Sequence, residues 1–522
     1  MTPVRPAVGV MRRVIVNAFT NYVGKFVSVA AWIVMTPIIL HYVSSSMYGL
    51  WVLVGSVVAY GALADFGIAS AITKYVAGYR ARGQFDEASR LVSTAGVIFL
   101  GLGLLVAVAS VVVAPHFPRL FNVPPEQHAT AVRLVVLSGL SLGVSFPCAA
   151  TGAVLRGFQR FDLINVIVIM AALCGAGASI LVLLVGGGVV GLVAAGIIVM
   201  LAMQIPTIWM IRRVAPELRF GFHLVSRDAA RTVVSFSSSV FLLRIGGKLE
   251  SGTDEIVIGA LLSMPAVTAY SLARRLSTLP QLLTEQFLTV IVPLASELEA
   301  GNDQRRLQSL YVVSTRMTLA VCIPVATWLV LFAGSILTVW VGEEYAQYGH
   351  LVAILTIAAV IDVSVWPAGF VLQGIARHRV AAVASVCAGI LNLGFSLGLI
   401  GALGLTGVAL GTLIPTTFIC LGWVTPYAKR VLQVPARDVI MGIFLPSLLP
   451  VLPTAIIVLA LREMMDVSTL FGLVVAGMAA VGSYAVIYLS LAVTAIERRV
   501  IRTAIMDAAR LFQLPLFRGD AG

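Results

Sequence analysis

Between Phe241 and Glu285 the chain places charged residues inside apolar runs long enough to cross a bilayer. Arg244, Lys248, Glu250, Asp254 and Glu255 fall in one run, and Arg274, Arg275 and Glu285 in the next. A charge at mid-bilayer costs at least ~2.5–3.5 kcal/mol on insertion scales, so such residues face a bundle interior or a wet cavity. At 100° per residue, Arg244, Lys248, Ser251 and Glu255 share one helix face, with Glu250 and Asp254 on another. Tyr270, Arg274, Ser277, Gln281 and Glu285 form a stripe on the following run. The first run carries Asn17, Asn21, Lys25 and Ser28 on one face. Lys25 lies ~16 Å into that helix, near the midplane. A later run aligns Asp362, Trp366, Gly369 and Gln373, and Asp65 and Lys74 lie in the second run.

Four cations at similar depth, Lys25, Arg244, Lys248 and Arg274, suit an anionic group such as a phosphate. Arginine binds it bidentately and lysine as a point charge. The competing reading pairs these charges into structural locks, such as Lys248 with Asp254 or Arg274 with Glu255. Asn17, Asn21, Asp65, Asp254, Glu255 and Asp362 are the supporting polar residues and the candidates for ion coupling. The six histidines are scattered and the five cysteines lie in apolar runs without metal spacing, so neither a metal site nor a cofactor is expected. The chain has no G-x-x-x-x-G-K-[ST] and no loop holding a catalytic constellation, which argues against an enzyme or an ATP-driven motor.

The elements that position these residues are helices. Of 522 residues, 59% are hydrophobic and 11% charged, far below the roughly 25% charged of soluble domains. Mean hydropathy is +1.01. Apolar runs of membrane-spanning length recur throughout and predict an all-α polytopic membrane protein with fourteen transmembrane helices. The seventh and eighth cover 232–262 and 267–295. Net charge is +12, yet the basic residues cluster in alternate loops, and the opposite loops hold only Arg119 and Arg462. Positive-inside asymmetry, not nucleic acid, explains this, and it places both termini in the cytoplasm of a cell-membrane protein. The tail beyond Ala495 reads as a basic interfacial helix or a solvated basic segment.

Glycines repeat at a nearly constant offset. Gly83 matches Gly301, Gly157-x-x-Arg160 matches Gly374-x-x-Arg377, and Gly188-x-x-Gly191 matches Gly404-x-x-Gly407. A duplicated unit with an even number of spans gives parallel repeats, whose shared site lies between lobes. The expected organisation is a six-helix lobe over 1–213, a second over 214–430, two extra helices over 431–495 and a basic tail over 496–522.

Tyr48-Gly49-Leu50-Trp51, Asp65-Phe66-Gly67-Ile68, Gly157-Phe158-Gln159-Arg160-Phe161, Thr253-Asp254-Glu255-Ile256-Val257-Ile258-Gly259 and Tyr270-Ser271-Leu272-Ala273-Arg274-Arg275 follow one another in the order and spacing of a known family. The chain resembles the polysaccharide-export flippases of the multidrug/oligosaccharidyl-lipid/polysaccharide exporter superfamily. The resemblance implies two six-helix lobes around a V-shaped cavity. It also implies alternating-access movement of undecaprenyl-pyrophosphate-linked oligosaccharide to the outer leaflet, for cell-surface polysaccharide biosynthesis. The expected partners are that lipid-linked anionic oligosaccharide, the bilayer and a polysaccharide polymerase machinery, with the chain acting as a monomer. Multidrug antiporters share the fold but place an acidic residue in the first helix, where this chain has Asn21 and Lys25. Peptidoglycan-precursor flippases, with fourteen spans and a cationic cavity, are the other related branch.

Overall fold

The structure, a computed structural model, describes residues 7–236, 252–288, 290–377, 379–464 and 466–491, with side chains from Gly24 onward except 286 and 287. The described residues contain no strand. Twelve of their helices are long and apolar enough to cross a membrane, from Gly24–Tyr42 to Leu470–Leu491. A multi-pass membrane protein is the consequence, since a helix satisfies every backbone polar group within itself.

The two runs outside these twelve are the expected seventh and eighth. The seventh falls partly on 237–251, outside the described residues. Its described end breaks at Thr253, where helix Asp254–Leu261 begins. The eighth is not one helix but three, Met264–Ser277, Leu279–Leu288 and Ile291–Ala300. Its apolar run continues across breaks that hydropathy does not register. The second run is also interrupted. Helix Ser45–Gly61 leads through a 3-10 turn, Ala62–Asp65, to helix Ile68–Ala81. Phe66 and Gly67 between them are left-handed, at φ 48° and 85°.

Several helices end in the same way. Gln159 is left-handed (φ 57°), with Arg160 N–H donating to Leu155 C=O at 3.0 Å and Gln159 N–H to Arg156 C=O at 2.9 Å. Ala376 repeats this (φ 57°), with Arg377 bonded to Leu372 and Ala376 to Gln373. These are Schellman caps, which satisfy carbonyls that the helix end leaves orphaned. A Cβ on Gly157 would overlap Val76, and one on Gly374 would overlap Ala295, so each glycine admits a neighbouring helix. The left-handed residue of the cap at Gly83 (φ 69°) has a like-shaped one at Asn302 (φ 52°), while Gly301 stands at φ −80°. Gln84 bonds back to Tyr79 as Asp303 does to Leu298. Asparagine tolerates the left-handed region, so the second cap forms without a glycine at that position.

The chain divides into two compact units, residues up to Arg274 with Ala381–Pro415, and Arg275–Val380 with the residues from Thr416 onward. The first unit packs around Ile72, Leu91, Phe99, Phe146 and Val154. Phe99 and Phe146 stack at 6.0 Å. Helices Phe85–Val113 and His128–Gly157 touch through Gly103 and Gly143, where a Cβ on either would overlap the other's carbonyl. Small residues of this kind allow close helix approach in membranes.

The second unit packs around Leu319, Val371, Leu372, Ile443 and Tyr484. Its last helices are pinned to the rest by Trp328 Nε1 donating to Leu473 C=O (3.1 Å), and to one another by Tyr484 O–H donating to Ser447 C=O (2.7 Å). Two π-helical turns, Cys420–Val424 and Ile440–Phe444, lie just before Pro426 and Pro446. Proline lacks the N–H that would continue the α-helical ladder, and the backbone widens there.

Candidate functional site

The site grows from a helical hairpin in the first unit. The bend at Thr253 starts helix Asp254–Leu261, with Asp254 and Glu255 in the first turn, where the helix dipole favours carboxylates. The turn at Leu262 and Ser263 leads into helix Met264–Ser277, with Pro265 in its first turn. Tyr270 and Arg274, one turn apart, face back toward Asp254.

Asp254 is 1% exposed and its Oδ2 accepts three hydrogen bonds. Tyr270 O–H donates at 2.6 Å, Arg274 Nη1 at 2.8 Å and Thr412 Oγ1 at 3.2 Å. Thr412, on helix Leu405–Ile419, itself accepts from Asn392 Nδ2 at 3.0 Å. Glu255 lies 3.9 Å from Arg274 Nε. Two carboxylates thus share one guanidinium, and Arg274 is not a bare cation. The Asp254 side chain is 2% exposed and that of Arg274 22%, so the acid is the more enclosed of the two.

The other Asp254 oxygen, Oδ1, has no hydrogen-bond donor among the described residues. Neither do Asn392 Oδ1 and Ser396 Oγ, which stand one turn apart on helix Arg379–Leu403. Buried oxygens left without donors carry a desolvation cost. Among the described residues this cluster has one more acid than base, the chemistry to take up a proton or a small hard cation. No group of three or more His, Cys, Asp or Glu side chains suited to a metal occurs among the described residues.

The other expected site residues are distributed elsewhere. In the second unit, Asp362 Oδ2 accepts from Gln281 Nε2 and from Trp366 Nε1, both at 3.1 Å. The face expected to align Asp362 with Trp366 does so. Asp65 ends the 3-10 turn of the interrupted second run, and its Oδ1 accepts from Ala69 N–H at 3.3 Å. It serves there as a cap to helix Ile68–Ala81. Lys25 is half-buried on helix Ala7–Tyr42, beside Gly24, which meets Asn165 of helix Phe161–Leu184. Asn17 and Asn21 lie on the same helix, but their side chains are outside the description. Arg244 and Lys248 lie outside the described residues. The expected separation of Asp254 from the face of Glu255 assumed an unbroken helix. The two acids are successive residues of helix Asp254–Leu261, beyond the break at Thr253, and both approach Arg274 because its Nη1 and Nε each reach one carboxylate.

Sequence reasoning missed Thr412, Asn392 and Ser396. The i,i+4 pair of polar residues in an otherwise apolar run was the available signal for the last two.

A family model described as polysaccharide biosynthesis protein matches residues 42–350. A curated relative, the probable low-salt glycan biosynthesis flippase Agl15 of Haloferax volcanii, is 26% identical over 218 residues, 42% of this chain and 44% of that one. The match spans less than half the length of that relative. Among solved structures, the lipid II flippase MurJ in an inward closed conformation superposes with a TM-score of 0.70 at 15% identity, covering 91% of this chain and 98% of that one. An inward-facing multidrug resistance MATE transporter of the MOP superfamily gives 0.66 at 14% identity, covering 80% and 96%. At such identities the likeness is one of fold.

Proposed function

The chain belongs to the polysaccharide biosynthesis protein family, and from that premise we propose that it is a flippase for a lipid-linked oligosaccharide. The cargo is an undecaprenyl-pyrophosphate-linked glycan, moved from the cytoplasmic to the outer leaflet of the cell membrane by alternating access. The protein acts in transport, not as an enzyme. Fourteen spans form two parallel six-helix lobes, over 1–213 and 214–430, with two added helices over 431–495. Both termini and the basic tail over 496–522 are cytoplasmic. The chain works as a monomer and hands its cargo to a polysaccharide polymerase.

The observation that carries this reading is the ionisable cluster of Asp254, Glu255, Tyr270 and Arg274, enclosed among apolar helices within the family-matched residues. Such groups inside a membrane mark a pathway for charge. Lys25, Arg244 and Lys248 receive the pyrophosphate. Arg274, tied to Asp254, adds its charge toward the same headgroup. Asn17, Asn21 and Asp65 support the first-unit wall, and Asp254 with Glu255 takes the coupling ion. Asp362 plays a supporting part in the second unit. The glycan passes through the polar interior while the lipid chain stays in the bilayer. An inside-negative potential favours outward passage of an anion by about 2.3 kcal/mol per charge per 100 mV.

The test is rescue of surface glycan in a strain lacking its flippase. Wild-type protein restores the glycan, and Lys25→Gln inserts normally but does not. Failure of the wild type to rescue, with altered drug susceptibility on overexpression, would assign it instead to small-molecule export. Rescue of a strain lacking its peptidoglycan-precursor flippase would assign it to that branch.

A further inference from the structure

The connection that follows helix Gly188–Val214 stays against the first unit. It turns at Ala215, where Leu218 N–H donates to Ala215 C=O at 3.1 Å and both side chains are buried. It then runs as a strap along the start of helix Phe85–Val113, bound through its backbone. Ser89 Oγ accepts from Arg219 N–H at 3.0 Å, Ser93 Oγ from Gly221 N–H at 3.3 Å and Thr94 Oγ1 from Ser226 N–H at 3.0 Å. Between these points lies the 3-10 turn Phe222–Leu224. A helix begins at Arg227, with Ala229 N–H donating to Ser226 Oγ at 3.4 Å.

At 100° per residue, Ser89 and Ser93 share a face of helix Phe85–Val113 with Leu100, Leu104, Val108 and Val111. Those four apolar side chains are exposed, on a helix long and apolar enough to cross a membrane. That face therefore meets lipid, and the strap covers it where the span begins, at the boundary with water. The outer side of the strap has mixed chemistry. Phe222 is 77% exposed, with Phe220 and Val225 exposed beside it. Arg212, Arg213, Arg219, Arg227 and Arg231 are exposed, against Glu217 and Asp228 as the acids between 209 and 234. Trp209, near the end of the preceding helix, is exposed too and has the Arg213 guanidinium 3.8 Å from its ring centroid. Phenyl rings gain nothing from water, and arginines are costly in the hydrocarbon core. The headgroup layer suits both, since rings reach the acyl boundary while guanidinium groups meet phosphates. The surplus of positive charge selects anionic headgroups.

We propose that the strap 215–231 is an interfacial binding site for anionic phospholipid, in the leaflet on the arginine-rich side of the membrane. Phe220, Phe222 and Val225 seat at the acyl boundary, and Arg219, Arg227 and Arg231 meet the headgroup phosphates. The hydroxyls of Ser89, Ser93 and Thr94 hold the strap at that depth. They accept from N–H groups that no helix satisfies, so the backbone lies at the boundary without losing its hydrogen bonds. The site is independent of the cargo that the protein carries.

The test uses the full-length protein in nanodiscs. Phe222→Trp places a reporter on the strap, and the protein without it corrects for the seven native tryptophans. The quencher is phosphatidylglycerol or phosphatidylcholine, brominated near the headgroup end of the acyl chains and present at equal mole fraction. Phosphatidylglycerol is expected to quench the reporter severalfold more strongly. With Arg219→Gln, Arg227→Gln and Arg231→Gln together, that preference is expected to vanish. Removal of the same charge from exposed arginines elsewhere on that side, by Arg305→Gln, Arg430→Gln and Arg437→Gln, is expected to leave it intact. No quenching by either lipid would put the strap off the membrane surface and overturn the proposal. Equal quenching by both lipids, or equal loss of preference in the two triple variants, would overturn it as well. Ser93→Ala with Thr94→Val is expected to weaken quenching by both lipids, and unchanged quenching would overturn the anchoring by hydroxyls. Inorganic phosphate at constant ionic strength is expected to leave the preference unchanged. Its loss there would assign the arginines to a soluble anion and overturn the lipid site.

Discussion

Tyr270 and Arg274 stand four residues apart on one helix and donate to the same atom, Oδ2 of Asp254, at 2.6 and 2.8 Å. A third donor, Thr412, comes from a helix 158 positions away in sequence. The carboxylate is therefore held on one oxygen by three donors from two helices while its other oxygen has no described donor. This asymmetry makes the cluster more than an internal salt bridge, since a fully satisfied bridge has no remaining capacity for a proton or cation.

Asp254→Asn is the first consequence. It leaves Arg274 facing the Glu255 carboxylate at 3.9 Å. Loss of one partner of a buried pair costs 3–5 kcal/mol, and the partial exposure of Arg274 puts this case near about 3. The thermal midpoint in detergent falls accordingly, and glycan rescue drops at least 10-fold. Unchanged rescue would remove Asp254 from the transport cycle.

Tyr270→Phe keeps the ring and removes one O–H directed at a charged acceptor. A bond of that kind contributes about 1.5–3 kcal/mol. The variant is expected to be less destabilised than Asp254→Asn when both are unfolded side by side. The reverse order would mean that the tyrosine, not the carboxylate, organises the cluster.

Asn392→Leu separates structure from ion uptake. The substitution removes an oxygen without a described donor and the bond to Thr412 Oγ1. In proteoliposomes with a fluorescent lipid-linked glycan, flipping by the wild type should depend on a proton or sodium gradient. The variant should lose that dependence more than it loses basal flipping. Equal gradient dependence in the two proteins would place coupling elsewhere.

Gly67→Ala and Gly103→Ala probe two different demands on glycine. Gly67 has φ 85°, so alanine there costs roughly 1–2 kcal/mol in backbone strain alone. Gly103 has an ordinary helical backbone, but its Cβ would overlap the Gly143 carbonyl, so two helices must part. Gly83→Ala (φ 69°), with open space around the Cβ, is the reference for strain without overlap. Thermal midpoints should show similar losses for Gly67 and Gly83, and a larger one for Gly103.

The apolar runs determined most of the helices, because a bilayer supplies no hydrogen-bond partner and a run of that length must satisfy its backbone internally. The G-x-x-R spacing marked two caps that share one backbone geometry at Gln159 and Ala376. Helical periodicity put Tyr270 beside Arg274 and Asp362 beside Trp366, since neighbours one turn apart are fixed by local geometry. Tertiary structure decided what those residues meet. Thr412 reaches Asp254, and Asn392 holds Thr412, only because their helices pack beside the hairpin, and no local rule encodes a contact of that range. The break at Phe66 and Gly67, the division of the eighth run and the left-handed cap at Asn302 rather than Gly301 were also decided there. Hydropathy measures whether a segment prefers lipid, and left-handed residues within an apolar run leave that preference unchanged.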